Sequence, residues 1–529
     1  MFSDAVCKPQ GKALSQTEKL NLLSGEVVVR ITKTRIISQC FFFSLFLFLC
    51  FVSSLERVGG YPVSLFLDLD PLVALSTVLS TRKLYGELLL SLITIVLTLL
   101  LGRVFCGWVC PMGAINQFIG WIFNVRSVRE RIELNRYKPI YTAKYYVLIF
   151  MLALALFGSV QIGWLDPICL LHRSMATYIL PAVNSVFHVV YVRQHEHHFA
   201  WLIGIIFIVV LGLNLYIPRF FCRVICPLGA LLGILSRFSI WRIERNEGKC
   251  TQCGMCLKSC EGASDPDKLL RKAECMVCFN CLEDCPHNAL GFSFLPPLDS
   301  EVTNPDLSGR RFFLAFISGI LVYPMMRFSG KVYKSFDKRL IRPPGSLPEP
   351  EFLARCIKCG QCIRICPTNA LQPALYEAGI EGIFTPVLDM KVGYCELNCT
   401  LCGQVCPTGA IQKISVEQKL GLGEFADYGP IKIGTAFVDR GRCLPFAMDT
   451  PCLVCQEVCP VSPKAIFTRT VTVKKRDGTV VNLKRPHVDP EKCIGCGICE
   501  HSCPVKDEPA IRVTPIGETR SPERRLLLT

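Results

Sequence analysis

The sequence predicts a two-part fold: an α-helical membrane domain followed by small α+β modules built around bound metal. Hydrophobic residues make up 51% and charged residues 19% of the 529 positions, and the apolar residues crowd into the first 240. That is too apolar for an ordinary soluble domain. The 32 cysteines stand in tight groups instead, most of them after residue 250. A disordered or fibrous chain is therefore excluded.

Four apolar stretches are long enough to cross a bilayer as helices, which takes about 20 residues. They are 36–55, 84–104, 144–165 and 199–217. Lys and Arg outnumber Asp and Glu in three flanking segments and are balanced in the two that alternate with them; the basic segments are 1–35, 121–144 and 219–249. By the positive-inside rule, both ends of a four-helix unit are expected in the cytoplasm. This orientation also explains the net charge of +15, so no nucleic-acid partner is expected.

A short cysteine signature follows the second and the fourth predicted span. It reads FCGWVCPMG at 105–113 and FCRVICPLG at 221–229. The spacing places the two thiols of each copy on one face of a helical turn. One interpretation is a structural helix break at Cys-Pro and Gly with packed thiols. The other, which the repetition favours, is a cofactor-binding or redox site formed by Cys106, Cys110, Cys222 and Cys226.

Six groups of four cysteines follow, five of them ending in Cys-Pro; the exception has Glu261 after its last cysteine. In chain order the groups are Cys250, Cys253, Cys256 and Cys260; Cys275, Cys278, Cys281 and Cys285; Cys356, Cys359, Cys362 and Cys366; Cys395, Cys399, Cys402 and Cys406; Cys443, Cys452, Cys455 and Cys459; and Cys493, Cys496, Cys499 and Cys503. Three thiolates this close wrap one [4Fe–4S] cluster while the fourth reaches a neighbouring one. Zinc usually takes two cysteines from each of two knuckles, and such close thiols cannot form disulfides with one another. The pattern predicts six [4Fe–4S] clusters.

The exchange of fourth cysteines follows from this geometry. In groups 1 and 2, Cys285 is expected to complete the first cluster and Cys260 the second. In the last four groups the two regular motifs are outermost, so a nested arrangement is expected. It pairs Cys503 with group 3, Cys366 with group 6, Cys459 with group 4 and Cys406 with group 5. A hairpin is also predicted, with strands 470–474 and 479–483 around Asp477-Gly478.

The segment between the two sets of groups carries Arg310-Arg311 ahead of an apolar run at 312–326. This is typical of a twin-arginine export signal that stays as an anchor; an amphipathic helix on the cytoplasmic face is the alternative. The expected organisation is a cytoplasmic tail (1–35), a membrane domain (36–245), a cytoplasmic two-cluster module (246–295), the anchor-bearing linker (296–345) and a periplasmic four-cluster module (346–529).

The first 295 residues resemble the NapH/MauN type of membrane ferredoxin, and those from about 308 resemble the NapG/MauM type of exported polyferredoxin. The matching stretches include Arg342-Pro-Pro-Gly345, the entry to Cys356, and Pro490-Glu-Lys-Cys493. The resemblance implies bacterial-ferredoxin-like modules in the cell inner membrane that pass electrons from membrane quinol to a periplasmic oxidoreductase or cytochrome. The sequence departs from the family motif at Glu261, where proline is expected, and this difference puts no cluster ligand in doubt.

We therefore expect a component of a quinol-linked electron-transfer system rather than a stand-alone enzyme. Its redox groups would be six [4Fe–4S] clusters, with quinone as a further ligand. Asp166, His172 and Arg173, at the outer end of the third span, are the candidates for a quinone site; a structural role at the interface is the alternative. The runner-up function is maturation or metal reduction of the NosR/CcoG type, which shares the membrane signature.

Overall fold

The computed structural model describes residues 16–53, 62–123, 126–187, 197–293, 301–302, 305–336, 340–375, 377–474 and 478–520. Eleven helices longer than six residues are numbered. They are α1 (Gln16–Val52), α2 (Pro71–Thr81), α3 (Ser91–Leu101), α4 (Pro111–Ile122), α5 (Val128–Asn135), α6 (Ala143–Leu156), α7 (Pro167–Ser174), α8 (Leu180–Phe187), α9 (Ala200–Gly212), α10 (Pro227–Ser236) and α11 (Gly309–Phe336).

Proline sets the start of several of these helices. Asp-Pro pairs begin α2 and α7, where the aspartate side chain accepts the first backbone N–H groups, and Cys-Pro pairs begin α4 and α10. Proline suits the first helical position because its missing N–H has no partner there in any case. Each signature therefore lies at a helix break. Its first cysteine is in a π-helical turn, Phe105–Val109 or Phe221–Ile225, and its second cysteine directly precedes the next α-helix.

Within the described part of the chain, three helical segments are long and apolar enough to cross a membrane: Ile31–Val52, Pro139–Leu156 and Gly309–Ser329. The first two coincide with the first and third predicted spans, and the last contains the predicted anchor at 312–326. The second and fourth predicted spans fall on the shorter apolar segments Gly86–Leu101 and Ala200–Leu215.

The strands form five two-stranded sheets. In chain order they are β1 (Arg242–Arg245), β2 (Leu270–Arg271), β3 (Leu290–Ser293), β4 (Glu301–Val302), β5 (Leu371–Pro373), β6 (Pro386–Leu388), β7 (Thr435–Val438), β8 (Ile466–Lys474), β9 (Val480–Val488) and β10 (Ile511–Thr514). β2 and β4 pair in parallel; β1–β3, β5–β6, β7–β10 and β8–β9 are antiparallel. The predicted hairpin is β8–β9, with Lys474 opposite Val480; its turn at 475–477 lies outside the described residues.

Helices α1, α3, α6, α9 and α11 form a layer between a first cysteine module (residues 242–293) and a second cysteine module (residues 340–520). At one end of the helix layer Arg35 of α1 bonds Asn280 and Lys144 of α6 bonds Glu274, both in the first module. At the other end Arg327 of α11 pairs with Glu381 of the second module at 3.2 Å. The two modules therefore contact opposite ends of the same helices.

Candidate iron–sulfur and membrane redox sites

In the first cysteine module the two groups lie together, and the exchange of their fourth cysteines stays a prediction. Cys256 has both Cys260 and Cys285 as neighbours, and Cys260 is also a neighbour of Cys275, Cys278 and Cys281. Burial is the main cause that raises the pKa of Cys281, and the neighbouring sulfurs of Cys278, Cys260 and Cys275 add to it. Site 1 is the first triplet with Cys285, and site 2 is the second triplet with Cys260.

The second cysteine module pairs its groups in chain order. The helical turns Gln361–Arg364 and Leu401–Gln404 of groups 3 and 4 contact each other, as do Val454–Glu457 and Ile498–His501 of groups 5 and 6. Cys406 neighbours the triplet of group 3, and Cys366 neighbours the triplet of group 4. These sets form sites 3 and 4.

Site 5 is visible as a cavity. It is lined by the triplet of group 5 together with Cys503, and also by Leu444, Pro486 and Pro504; the triplet is Cys443, Cys452 and Cys455. Cys459 in turn neighbours Cys493 and Cys496, which gives site 6. The nested arrangement expected from the sequence is therefore wrong. Each pair of consecutive groups folds as a local unit, and the irregular spacings within groups 4 and 5 do not mark a separate inner pair.

The residues fit [4Fe–4S] clusters. Site 5 brings together four thiols from two loops, as a cubane requires, and at the other sites cysteines of two groups are neighbours. Among the described side chains no three His, Cys, Asp or Glu converge at the distances that hold a single metal ion. Site 5 instead encloses a space between its four cysteines.

Contacts between sites define an order that begins at the helix layer. The loop of site 3 touches α7 at the end of the helix layer, since a Cβ on Gly360 would lie 3.4 Å from the Cα of Arg173. Sites 3 and 4 share exchanged cysteines, and the N–H of Cys395 in site 4 donates to the carbonyl of Cys496 in site 6 at 2.8 Å. Site 6 exchanges cysteines with site 5. The order is site 3, site 4, site 6, site 5.

The two membrane signatures converge. Cys106 and Cys222 are charged neighbours of Cys110, and Cys106, Cys110 and Cys222 are neighbours of Cys226. Burial raises the pKa of Cys110 and Cys226 well above its ordinary value, so free thiols there are neutral. We call these four residues the thiol tetrad. It lies against site 2, because the indole N–H of Trp108 donates to the carbonyl of Val277 at 3.0 Å.

Buried cations surround the thiol tetrad. A guanidinium nitrogen of Arg103 lies 3.9 Å from the sulfur of Cys106, and Arg219 is a charged neighbour of Cys222. Both arginines are almost fully buried and pair with carboxylates: Arg103 with Glu274, and Arg219 with Glu261. Glu261, which replaces the expected proline, thus ties the Cys260 loop to the second signature. Sequence reasoning missed these arginines.

At the other end of the helix layer two buried carboxyl groups meet. Asp70 begins α2 and Asp166 begins α7, and their side chains hydrogen-bond each other. One oxygen of each accepts backbone N–H groups at its helix start, and among the described residues the other has no donor apart from the neighbouring carboxyl group. Two carboxyls bond only by sharing a proton; burial, and then Asp166, raise the pKa of Asp70. The sequence analysis named Asp166 but missed Asp70, although Leu-Asp-Pro occurs at 69–71 and 165–167.

His172 and Arg173, the other two residues predicted for a quinone site, are buried in α7, the helix that Asp166 begins. The Nδ1 of His172 accepts from the side-chain amide of Gln361 at 3.2 Å. Burial lowers the pKa of His172 to about 3, so the ring is neutral with its proton on Nε2, which finds no partner in the described part of the chain. Arg173 donates to the carbonyls of Gly163 and Lys358. The four residues do not form one hydrogen-bonded cluster, but they all lie where the second cysteine module docks.

Two glycines allow this docking. A Cβ on Gly163 would overlap the carbonyl oxygen of Ile357, and one on Gly360, at φ +80°, would lie 3.4 Å from the Cα of Arg173. Backbone therefore packs against backbone next to site 3, and only glycine fits at both points.

Family models match several parts of the chain. A 4Fe-4S dicluster domain matches residues 355–410 and 435–506, which are the two units that pair groups 3 with 4 and 5 with 6. A 4Fe-4S binding domain matches 85–129, 198–246 and 402–421, and the first two ranges contain the thiol tetrad. No solved structure matches the chain significantly.

Several curated relatives are ferredoxin-type proteins by name. The chain is 36% identical over 180 residues to the methylamine utilization ferredoxin-type protein MauM of Methylorubrum extorquens, covering 34% of this chain and 74% of that one. It is 26% identical over 254 residues to the ferredoxin-type protein NapH of Haemophilus influenzae, covering 44% and 79%. It spans only 57% of the Escherichia coli electron transport protein YccM, at 34% identity over 217 residues and 40% of this chain.

Proposed function

Because the chain belongs to the ferredoxin-type iron–sulfur electron-transfer proteins, we propose that it moves electrons between membrane quinol and a redox partner on the far side of the second cysteine module. A bound [4Fe–4S] cluster supplies one-electron transfer without bond-making chemistry. The observation that carries the proposal is the continuous order of sites from the helix layer outward. The 24 cysteines of the six groups hold six clusters, so purified protein is expected to contain about 24 irons.

We place quinol oxidation at the end of the helix layer beside site 3. Hydroquinone loses two electrons and two protons. The ionised member of the Asp70–Asp166 pair takes one proton, water takes the other, and the electrons leave one at a time toward site 3. His172 offers its unpartnered Nε2–H to a quinone oxygen, and burial of the carboxyl pair supports proton uptake there.

The thiol tetrad belongs to the opposite end, beside sites 1 and 2. We propose that it binds a further redox cofactor, because four thiols meet in a buried space with cations beside it. If that cofactor is a seventh cubane, the iron content rises to about 28 per chain and falls to about 24 when all four cysteines are replaced by serine. An unchanged content after replacement contradicts a cluster at the tetrad.

The helix layer crosses the inner membrane in this proposal, with the first cysteine module in the cytoplasm and the second in the periplasm. Contacts of the modules with opposite helix ends support it. Arg35, Lys144 and Arg223, one from each basic segment, contact the first cysteine module, as the positive-inside rule requires. Arg310 and Arg311 stand at the same end of α11 and serve as the twin-arginine signal.

The test is quinol-driven reduction of the full-length protein in liposomes without oxygen. A menaquinol analogue is expected to bleach the visible absorbance of the clusters. Replacing both Asp70 and Asp166 by Asn is expected to slow this at least about tenfold, while dithionite still reduces every cluster. Asp68→Asn is the matched control, since Asp68 is a buried carboxylate nearby whose partner is the hydroxyl of Ser64. A wild-type protein that quinol leaves oxidised would overturn the proposal.

A further inference from the structure

A patch of cations and aromatic rings stands beside site 5, the last site in the order. The rings of Phe467 and His487 stack at 5.7 Å, and Phe446 meets His487 edge-on at 6.0 Å. Three guanidinium groups cover these rings, each within 6 Å of a ring centre: Arg440 and Arg485 over Phe446, and Arg469 over Phe467. We call these six residues the arginine–aromatic patch.

The patch is next to the cavity of site 5. Leu444 and Pro486 line that cavity. Leu444 is close in sequence to Phe446, and Pro486 lies between Arg485 and His487. Arg485 also donates to the carbonyl of Pro445 at 3.1 Å. A redox group that contacts the patch would therefore lie a few residues from the site 5 cysteines.

The positive charge is concentrated at some cost in stability. Arg469 and Arg485 are directly opposite each other in the β8–β9 ladder, a like-charge pair that destabilises a hairpin. The described strands of this hairpin carry Arg469, Lys474, Lys484 and Arg485 and no acidic residue. The nearby carboxylate of Asp449 approaches Arg485 only to 3.9 Å. Burial, followed by the fields of Arg469 and Arg440, lowers the pKa of His487.

We propose that the arginine–aromatic patch is the docking surface for an acidic redox protein, which exchanges electrons with site 5. Acidic side chains of the partner would neutralise the opposed arginines, and the exposed ring of Phe467 would supply a small apolar contact. The inference rests on the proposed function, because it takes site 5 to be the end of the electron route. The patch is not expected to contact lipid, since site 5 is the site furthest from the helix layer in the order of sites.

Two octahedral metal complexes of opposite charge test the surface directly. Dithionite-reduced full-length protein is mixed at low ionic strength with hexacyanoferrate(III) or hexaammineruthenium(III), and the oxidation rate is followed by absorbance. The triple variant R440Q/R469Q/R485Q is expected to lower the ratio of anion rate to cation rate about tenfold, an effect that salt removes. The control triple K83Q/R129Q/K268Q has the same change in net charge at exposed positions elsewhere and is expected to keep the ratio.

A binding measurement separates the surface from the electron route. Redox-inert hexacyanocobaltate(III), titrated calorimetrically into oxidised protein, is expected to bind the wild type and the control triple but not the patch triple. Equal rate ratios in both triples, or equal binding, would overturn the docking proposal. Because dithionite rather than quinol reduces the protein, failure of quinol oxidation leaves this result unaffected, and the two proposals fail independently.

Discussion

The two cysteine modules are held against the helix layer by different chemistry. At the first module the buried charges are paired. Glu274 accepts bonds from Lys144 and from the hydroxyl of Tyr145, with Arg103 at 3.8 Å. Both buried cations, Lys144 and Arg103, therefore have a carboxylate partner.

At the second module two buried side chains beside site 3, those of Lys358 and Arg173, bond neutral oxygens instead, whereas Arg327 pairs with Glu381. Lys358 donates to the side-chain oxygen of Gln161, and Arg173 donates to two backbone carbonyls. Both cations lie in or against the loop that carries Cys356 and Cys359. Arg173 contributes positive charge that no carboxylate bonds directly, and such charge stabilises an added electron, so we expect site 3 to accept electrons from the helix layer. The comparison teaches that the same type of module can be docked through cations bonded to a carboxylate or through cations bonded to neutral oxygens.

The largest expected effect concerns the compartments of the modules. Replacing Arg310 and Arg311 by Lys is expected to block export of the second cysteine module, because the twin-arginine pathway reads the guanidinium pair. Protease added to intact spheroplasts should digest residues beyond 340 in wild type and spare them in the variant. Protection in both proteins would place both modules in the cytoplasm and remove the topological difference.

Single ligand changes separate the two ends of the second cysteine module. Cys406→Ser removes a ligand of site 3, so quinol-driven reduction is expected to stop. Cys503→Ser removes a ligand of site 5, so quinol should still reduce the other sites, as seen by electron paramagnetic resonance. The reverse outcome would restore the nested arrangement.

Much of this arrangement could be predicted from spacing alone. The triplets are local, because three thiols within a few residues must serve one cluster, and the break at each Cys-Pro follows from proline chemistry. The exchange of Cys406 and Cys503 is not local: it depends on which groups fold together across insertions such as the β8–β9 hairpin. The partners Lys144 and Glu274 are 130 residues apart, and no pattern around either one indicates the other.

The charged interface of the first module can be broken at one residue. Glu274→Gln leaves Lys144 and Arg103 buried without their carboxylate, which typically destabilises by about 3–5 kcal/mol. Thermal loss of the visible cluster absorbance in detergent should occur at a lower temperature. Glu133→Gln is the control, because its pair with Arg129 is exposed and such pairs contribute about 0.2–1 kcal/mol. Equal shifts in the two variants would show that the buried pairing does not hold the module.

A change at the backbone contact between Gly163 and the second module is expected to have the smallest effect on stability. Its effect on reduction is selective, because it should slow reduction by quinol and not by dithionite. Gly163→Ala forces a methyl group toward the carbonyl of Ile357, and such overpacking costs about 1–3 kcal/mol. Because the loop of site 3 must move away, quinol-driven reduction should slow while dithionite still reduces all clusters. Gly212→Ala is the matched control: it adds the same methyl group in an apolar helix where nothing lies within 4 Å. A Gly163→Ala protein with a wild-type quinol rate would mean that electrons do not enter the second cysteine module through this contact, and the charge difference between the two interfaces would then have to serve stability alone.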